Sequence, residues 1–321
     1  MSENTPSQDV GDISPGSLKH LVGQAAVTRQ LAVAIDAAFA DNRKMDHALL
    51  VGPPGLGKSA TARVVAAEMA TGFHEILGQS IQIPADLNAL LLTAKDKDVV
   101  HIDEAHELNK EFQTTLYLAM DKRQIVLPTG NRRTPEGIPI ADFTLLLSTT
   151  DEYCLLQPLR DRMRLLLRFD FYSVEELVTL LLYRIKGLGW EVYETLLPEI
   201  AKRSRGTPRL ALRLLQSARR VCRAAGETTL TAEHLEKACC LEGIDSRGLG
   251  PVEQKYLCIV AGGPTRLNVL ASSLGLPGRT LAEVIEPFLV RSGLIVKDEQ
   301  GRRNLTAEGR EHLANLRTTV G

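Results

Sequence analysis

Eight consecutive residues, Gly52-Pro53-Pro54-Gly55-Leu56-Gly57-Lys58-Ser59, constrain this chain more than any other stretch. They spell a phosphate-binding loop: glycine, four residues, then Gly-Lys-Ser. Gly52, Gly55 and Gly57 permit a tight turn whose backbone N–H groups converge on an anion. The Lys58 ammonium reaches the β- and γ-phosphates, and the Ser59 hydroxyl is a ligand suited to Mg²⁺. The flanks agree. His47 to Val51 is a short apolar run of strand length, and Ala60 to Ala70 is a helix-forming run. The helix N-terminus, opening at Ala60, would face the phosphates. A Gly/Pro-rich surface turn is the competing reading, and this strand–loop–helix context counts against it.

A second motif follows. Val99-Val100-His101-Ile102-Asp103-Glu104 is a mostly apolar strand ending in two carboxylates. Alone it is a weak signal, since many buried strands end in a solvated acidic turn. Behind a phosphate loop it is strong. Asp103 is placed to hold the Mg²⁺ shell, and Glu104 to polarise the water that attacks the γ-phosphate. The pair points to ATP hydrolysis rather than storage.

Composition narrows the rest. The 321 residues suggest two or three domains, and a net charge of −1 provides no global field for nucleic acid or membrane. Any such surface must be local. Apolar runs such as Leu145-Leu146-Leu147 are strand-sized, far short of the roughly 18 residues a membrane span requires. Residues 1–16 are polar, carry no signal pattern and are expected to be disordered, which leaves the cytoplasm as the default location. The five cysteines have no metal spacing and include the vicinal Cys239-Cys240, so they read as reduced, packed thiols. No histidine is assigned a ligand role.

Residues 17–45 read as helical with a turn at Gly23. From 47 to 170, strands at Ala48–Val51, Val99–Ile102, Thr144–Ser148 and Arg168–Phe171 alternate with helices at Ala60–Ala70, Ala85–Ala94 and Lys110–Met120. This is the α/β pattern of a mostly parallel sheet covered on both faces, with ligand beyond the carboxyl ends of the strands. Residues 123–142 interrupt it with a protruding β-hairpin, or else an irregular loop, tipped by Gly130, Asn131, Arg132 and Arg133. From Ser173 only helices are expected, opened by the capping box Ser173-Val174-Glu175-Glu176. After a linker at 243–250, short helices ending in Ala282–Ser292, then Leu294–Val296, a turn and Arg302–Leu305, follow the order of a winged helix, a DNA-binding relative of the helix-turn-helix. The expected division is 17–172, 173–245 and 250–321.

Further phrases complete a constellation: Ser148-Thr149-Thr150, Leu159-Arg160-Asp161-Arg162 and Gly206-Thr207-Pro208-Arg209. With the phosphate loop and Ile-Asp-Glu-Ala-His, this run resembles the AAA+ ATPases. Over roughly residues 17–312 its wording is similar to the hexameric members that drive branch migration of four-way DNA junctions. The resemblance implies an ATPase domain, a helical lid and a winged helix. It implies that Thr149, with Thr150 beside it, senses the γ-phosphate. It makes Arg162 an arginine finger entering the neighbouring subunit's site, Arg209 a second sensor, and Val22 and Gly23, with Gln24, the lining of the adenine. Mg²⁺, a homo-hexameric ring and a RuvA-like junction-binding partner are implied as well. Three departures stand out. The hairpin that docks the partner is here about a residue shorter and proline-rich. Gly-Lys-Ser-Ala replaces Gly-Lys-Thr-Thr. Asp151 stands where an arginine is usual, so a divergent paralogue stays open.

The leading reading is an ATP-driven translocase of duplex DNA. A clamp-loader-like or protein-remodelling AAA+ ATPase, and a nucleotide-dependent scaffold that does not hydrolyse, are the alternatives. DNA contact is expected from local basic groups, Arg302 and Arg303 on the wing, with Arg279 weaker. Adjacent strand residues face opposite sides, so at most one of the pair points into DNA. A solvated hairpin with no ligand remains the other reading of the wing.

Overall fold

The computed structural model describes residues 15–126 and 137–319, the last three by backbone alone. All but the last two residues of the segment expected to be disordered, and the hairpin tip at 130–133, lie outside the described residues. By internal contacts the chain forms two compact units. One runs to Leu188 and takes in Thr207–Arg209. The other holds Gly189–Gly206 and everything from Leu210 onward.

The first unit contains α1 (Ala25–Ala40), β1 (Ala48–Val51), α2 (Lys58–Met69), β2 (Phe73–Leu77), α3 (Pro84–Thr93), β3 (Val99–Asp103), α4 (Lys110–Lys122), β4 (Gln124–Val126), β5 (Gly137–Pro139), β6 (Thr144–Thr149), α5 (Gln157–Arg160), β7 (Leu165–Arg168) and α6 (Val174–Leu188). Five strands form a parallel sheet in the order β2-β3-β6-β1-β7. Every residue of β1 and β6 is buried. Successive residues serve opposite faces, as the period of a strand requires. Leu49, Val51, Val100, Ile102, Leu145 and Leu147 pack under Leu87, Leu91, Phe112 and Leu116 of α3 and α4. Ala48, Leu50, Val99 and Leu146 pack under Val27, Leu31 and Ile35 of α1 and Val65 and Met69 of α2. Each fully buried leucine contributes about 1.5–3 kcal/mol. A polar chain also crosses this sheet: the ring of His101, buried on β3, reaches Glu75 Oε1 on β2 at 3.0 Å and Ser148 Oγ on β6 at 2.7 Å.

Two expectations are corrected. The last strand is Leu165–Arg168 rather than Arg168–Phe171, because Ala48–Val51 pairs with Leu165–Arg168 in register. The edge strand β2 is missing from the sequence reading. Its Phe-His-Glu-Ile-Leu carries two titratable residues, and only pairing with β3 makes it a strand. The hairpin base is present: β4 and β5 pair antiparallel, Ile125 opposite Ile138. The capping box at α6 also forms, with Glu176 N–H donating to Ser173 Oγ at 3.1 Å and Ser173 N–H to Glu176 at 2.8 Å.

The second unit holds α7 (Leu196–Arg203), most of α8 (Pro208–Ala224), and α9 (Ala232–Glu242). It continues with α10 (Pro251–Val260), α11 (Leu267–Leu274), α12 (Gly278–Thr280), a π-helical turn at Leu281–Ile285, α13 (Glu286–Arg291), β8 (Ile295–Lys297), β9 (Arg303–Leu305) and α14 (Ala307–Thr319). Pro287 has no N–H to give to the preceding turn, which suits the widened π geometry before it. β8 and β9 form the antiparallel wing, Val296 opposite Asn304, closed by Gly301 at φ +69°. Tyr256, Leu270, Leu281, Leu289 and Leu305 form its core.

Candidate functional site

Sheet order brings the motifs together. β1 lies beside β6, and β6 beside β3. The loops leaving their carboxyl ends therefore carry the phosphate loop, Thr149 and Asp103 side by side. Gly52, Gly55 and Gly57 all have positive φ, at +154°, +80° and +97°. At Gly52 a side chain is excluded by space as well, since a Cβ there would lie 2.6 Å from the Phe169 carbonyl oxygen. Between them Leu56 is fully buried, which anchors the loop to the core.

Lys58 is only 5% exposed, and its Nζ donates to the carbonyl oxygens of Gly52 (2.6 Å) and Pro53 (3.0 Å), spanning the loop's own mouth. Burial pulls its pKa below the ordinary lysine range, with Glu104 and Asp103 opposing. Ser59 Oγ donates to Asp103 Oδ2 at 2.6 Å, and Asp103 Oδ1 accepts from the Glu104 N–H at 2.9 Å. Ser59 and Asp103 thus form a two-oxygen cradle. Among the described residues no group of three His, Cys, Asp or Glu side chains could hold a metal alone. The donor set fits a hard cation whose remaining ligands are water and phosphate oxygens, the usual Mg²⁺ arrangement.

Glu104 has φ +50°, uncommon for a residue with a side chain, and its buried Oε2 has no hydrogen-bond partner among the described residues. Thr149 is fully buried and Thr150 exposed, so geometry separates two residues that sequence leaves side by side. Thr149 Oγ1 accepts from the Asp151 N–H and donates to the Asp151 carbonyl oxygen, both at 3.0 Å. The Asp151 carboxylate caps the next turn, accepting from Tyr153 N–H (2.9 Å) and Cys154 Sγ (3.2 Å). These bonds hold its pKa down, and the acidic residue at this position serves the turn that steadies Thr149.

Arg209, the second residue of α8, sits against the phosphate loop. Its N–H donates to the Gly55 carbonyl oxygen at 3.4 Å, and a Cβ on Gly55 would lie 3.0 Å from Arg209 Cβ and 2.9 Å from Thr207 Cγ2. Val22 and Gly23 lie before α1. A Cβ on Gly23 would meet Tyr172 Cε1 at 2.7 Å, and Tyr172 Oη donates to the Leu56 carbonyl oxygen at 3.3 Å. Tyr172 therefore bridges the Gly23 turn and the phosphate loop, with its phenol pushed up to about 12 by burial. Sequence reasoning gave it no role, because nothing in the pattern sets Tyr172 apart from Phe169 and Phe171 beside it. Arg162 lies apart from these groups. Nε donates to Asp121 Oδ1 at 2.7 Å, NH2 to Asp121 Oδ2, and the guanidinium stands 4.9 Å from the Tyr117 ring centroid.

In the second unit the two wing arginines point opposite ways. Arg303, 8% exposed, donates from Nε and NH2 to Glu286 at 2.8 and 3.1 Å, and Glu286 also accepts from Lys297 and Tyr256. This corrects its expected place on a DNA surface: the guanidinium is committed to a buried carboxylate. Arg302, its side chain 38% exposed, pairs among the described residues with Asp298 in the wing turn. A cleft of about 640 Å³ opens beside that turn, lined by Arg266, Asn268, Ser272, Gln300, Gly301 and an edge of Arg303, but not by Arg302.

A phosphate loop after β1, Asp103-Glu104 closing β3, a buried threonine ending β6 and an arginine at the loop from the first turn of α8 define a P-loop ATPase of the AAA+ type. Comparison with known proteins goes further. Three family profiles match in order: Holliday junction DNA helicase RuvB P-loop domain over 13–169, RuvB AAA lid domain over 172–245 and RuvB C-terminal winged helix domain over 246–314. The chain is 37% identical to the Holliday junction branch migration complex subunit RuvB of Koribacter versatilis, over 90% of this chain and 82% of that one. With the same subunit of Thermotoga petrophila it shares 36% over 93% and 92%. The structure of the Thermotoga maritima RuvB Holliday junction branch migration motor matches with a TM-score of 0.81 at 36% identity, covering 94% of this chain and 97% of that one. The chain belongs to the RuvB family.

Proposed function

We propose that this chain is an ATP-hydrolysing motor that moves duplex DNA through a four-way junction. The observation that carries this reading is the 2.6 Å bond from Ser59 to Asp103, beside a Lys58 poised over its own loop, in a chain matched by three RuvB profiles between residues 13 and 314. Lys58 and the loop from Gly52 to Ala60 hold the phosphates of ATP: the N–H groups of Gly55, Leu56, Gly57, Lys58, Ser59 and Ala60 donate, while Pro53 and Pro54, which have no N–H, shape the turn. Ser59 and Asp103 would hold Mg²⁺, which when bound neutralises charge gathering on the phosphate oxygens. Glu104 takes a proton from the attacking water, and Thr149 orients towards the γ-phosphate. Val22, Gly23 and Tyr172 line the adenine. Arg209 acts on the same nucleotide, and Arg162 serves the site of a neighbouring subunit in a homo-hexameric ring. A neighbour's guanidinium against developing phosphoryl charge is worth about 10³–10⁵ in rate.

The division into ATPase domain (17–172), lid (173–245) and winged helix (250–321) is part of the proposal, as are a cytoplasmic location and a RuvA-like partner docked through the hairpin at 123–142. Arg302 and the cleft beside the wing turn supply the DNA contact. The other AAA+ tasks gain nothing from a DNA-type wing, and a scaffold has no use for a buried, unpartnered Glu104 oxygen. The decisive measurement is ATPase rate without DNA, with duplex and with a four-way junction, each at two salt concentrations. Stimulation by DNA that weakens with salt is expected. A rate indifferent to both DNAs would sink the motor reading.

A further inference from the structure

His106 lies in the turn after β3, three residues beyond Asp103, with its side chain 21% exposed. Its Nδ1 stands 3.2 Å from Thr149 Oγ1 and 3.5 Å from Glu104 Oε2, while Nε2 is 3.5 Å from Glu107 Oε1. Two neighbours of Nδ1 both require a donor. Glu104 Oε2 is a buried carboxylate oxygen that can only accept, and it accepts no hydrogen bond among the described residues. Thr149 Oγ1 has given its proton to the Asp151 carbonyl oxygen and one lone pair to the Asp151 N–H, leaving one lone pair for the ring. Together they select the imidazole tautomer protonated at Nδ1.

We propose that His106 is a positioning residue for hydrolysis: its Nδ1–H ties the orientation of Glu104 to that of Thr149. The inference rests on reading Glu104 as the base and Thr149 as the γ-phosphate sensor. At 3.2 Å the contact with Thr149 is a hydrogen bond, and at 3.5 Å that with Glu104 is just outside good geometry. One N–H therefore stands between two acceptors. When the Thr149 hydroxyl turns to a phosphate oxygen, its hold on the ring weakens and Nδ1–H closes on Glu104 Oε2. The carboxylate is then fixed through one oxygen, and the other is free to accept the proton of water. Base and sensor are set together, which a glutamate rotating freely would not achieve.

Side-chain geometry allows a direct test in the full chain. An asparagine amide falls where Nδ1 is, and a glutamine amide falls where Nε2 is. His106→Ala is expected to lower kcat about 10–10²-fold, with KM for ATP and affinity for a fluorescent ADP analogue within about twofold of wild type. His106→Asn should regain most of kcat and His106→Gln little of it. The Asn/Gln contrast stands even if the alanine variant folds poorly. An unchanged kcat in His106→Ala, or equal recovery by both amides, overturns the inference. Glu104→Gln is measured in parallel. Its full turnover would remove the base assignment itself, whereas an inactive Glu104→Gln beside a normal His106→Ala overturns the role of His106 alone.

Discussion

The phosphate end of the parallel sheet and the base of the wing both bury charge, and they treat it in opposite ways. Under the wing, Glu286 is 1% exposed and receives Arg303, Lys297 and Tyr256. Burial alone would push its pKa up, but the hydrogen bonds from those three groups outweigh it and hold the carboxyl below its ordinary value. At the phosphate loop, among the described residues, Lys58 hydrogen-bonds to carbonyl oxygens of its own loop alone, and a buried oxygen of Glu104 accepts no hydrogen bond, with His106 at 3.5 Å. Unpaired buried polar atoms cost about 1–3 kcal/mol each, so they persist where a ligand completes them. The difference separates a structural charge cluster from a binding site.

The comparison breaks most visibly at Lys58. Lys58→Ala removes charge-assisted bonds to phosphate worth about 1.5–3 kcal/mol each, so nucleotide affinity should fall at least about 10²-fold. Equilibrium binding of a labelled nucleotide measures it, and wild-type affinity would show that the loop is no phosphate site. Arg162→Ala is expected to bind ATP normally and lose about 10³-fold or more in turnover. Mixed with Lys58→Ala subunits it should regain activity, since some interfaces would pair an intact loop with an intact finger. No recovery at any ratio, with co-assembly demonstrated, would count against a finger acting between subunits.

At the wing the expected loss is of folding rather than chemistry. Glu286→Ala leaves Arg303 and Lys297 uncompensated and should destabilise the second unit by about 3 kcal/mol. DNA-independent ATPase should be retained. Trp190, the only tryptophan, belongs to that unit, and its fluorescence reports the melt. Acidification should separate the units further. His47 in the first unit accepts from the Leu145 N–H at 2.8 Å, and burial lowers its pKa to about 3. The unfolded chain binds a proton there below about pH 6.5 that the folded chain refuses, so that stability is lost as pH falls from 6.5 towards 3. The contribution of Glu286 is present above its ordinary value of 4.5 and is lost only as pH drops through its lower folded value. The Trp190 transition should therefore outlast the other in melts between pH 7 and 4.5, and the reverse order would contradict both assignments.

The smallest effect is expected at Arg302. Arg302→Ala should weaken duplex binding alike for all sequences and make the plot of log affinity against log salt shallower by about one unit. An unchanged slope would move DNA contact away from the wing turn.

Much of this was legible in the residues. The spacing of Gly52, Gly55, Gly57, Lys58 and Ser59 dictates an anion cradle because glycine takes, without strain, the positive φ that turns the N–H groups inward. The alternating faces of Val99–Ile102 and Thr144–Ser148 dictate a two-sided sheet because successive side chains of a strand point opposite ways. Tertiary structure alone decided the rest. Which of Thr149 and Thr150 is buried, and what Asp151 does, follow from the turn after β6. Half-polar β2 became a strand by pairing with β3, and β7 began three residues early by pairing with β1. Arg303 and Arg302 are adjacent and chemically identical, yet one lies against Glu286 and the other beside Asp298, because β9 begins at Arg303 over the buried Glu286 of α13 while Arg302 stays in the wing turn. Local pattern records what a side chain is able to do, and which partner it meets depends on elements far away in sequence.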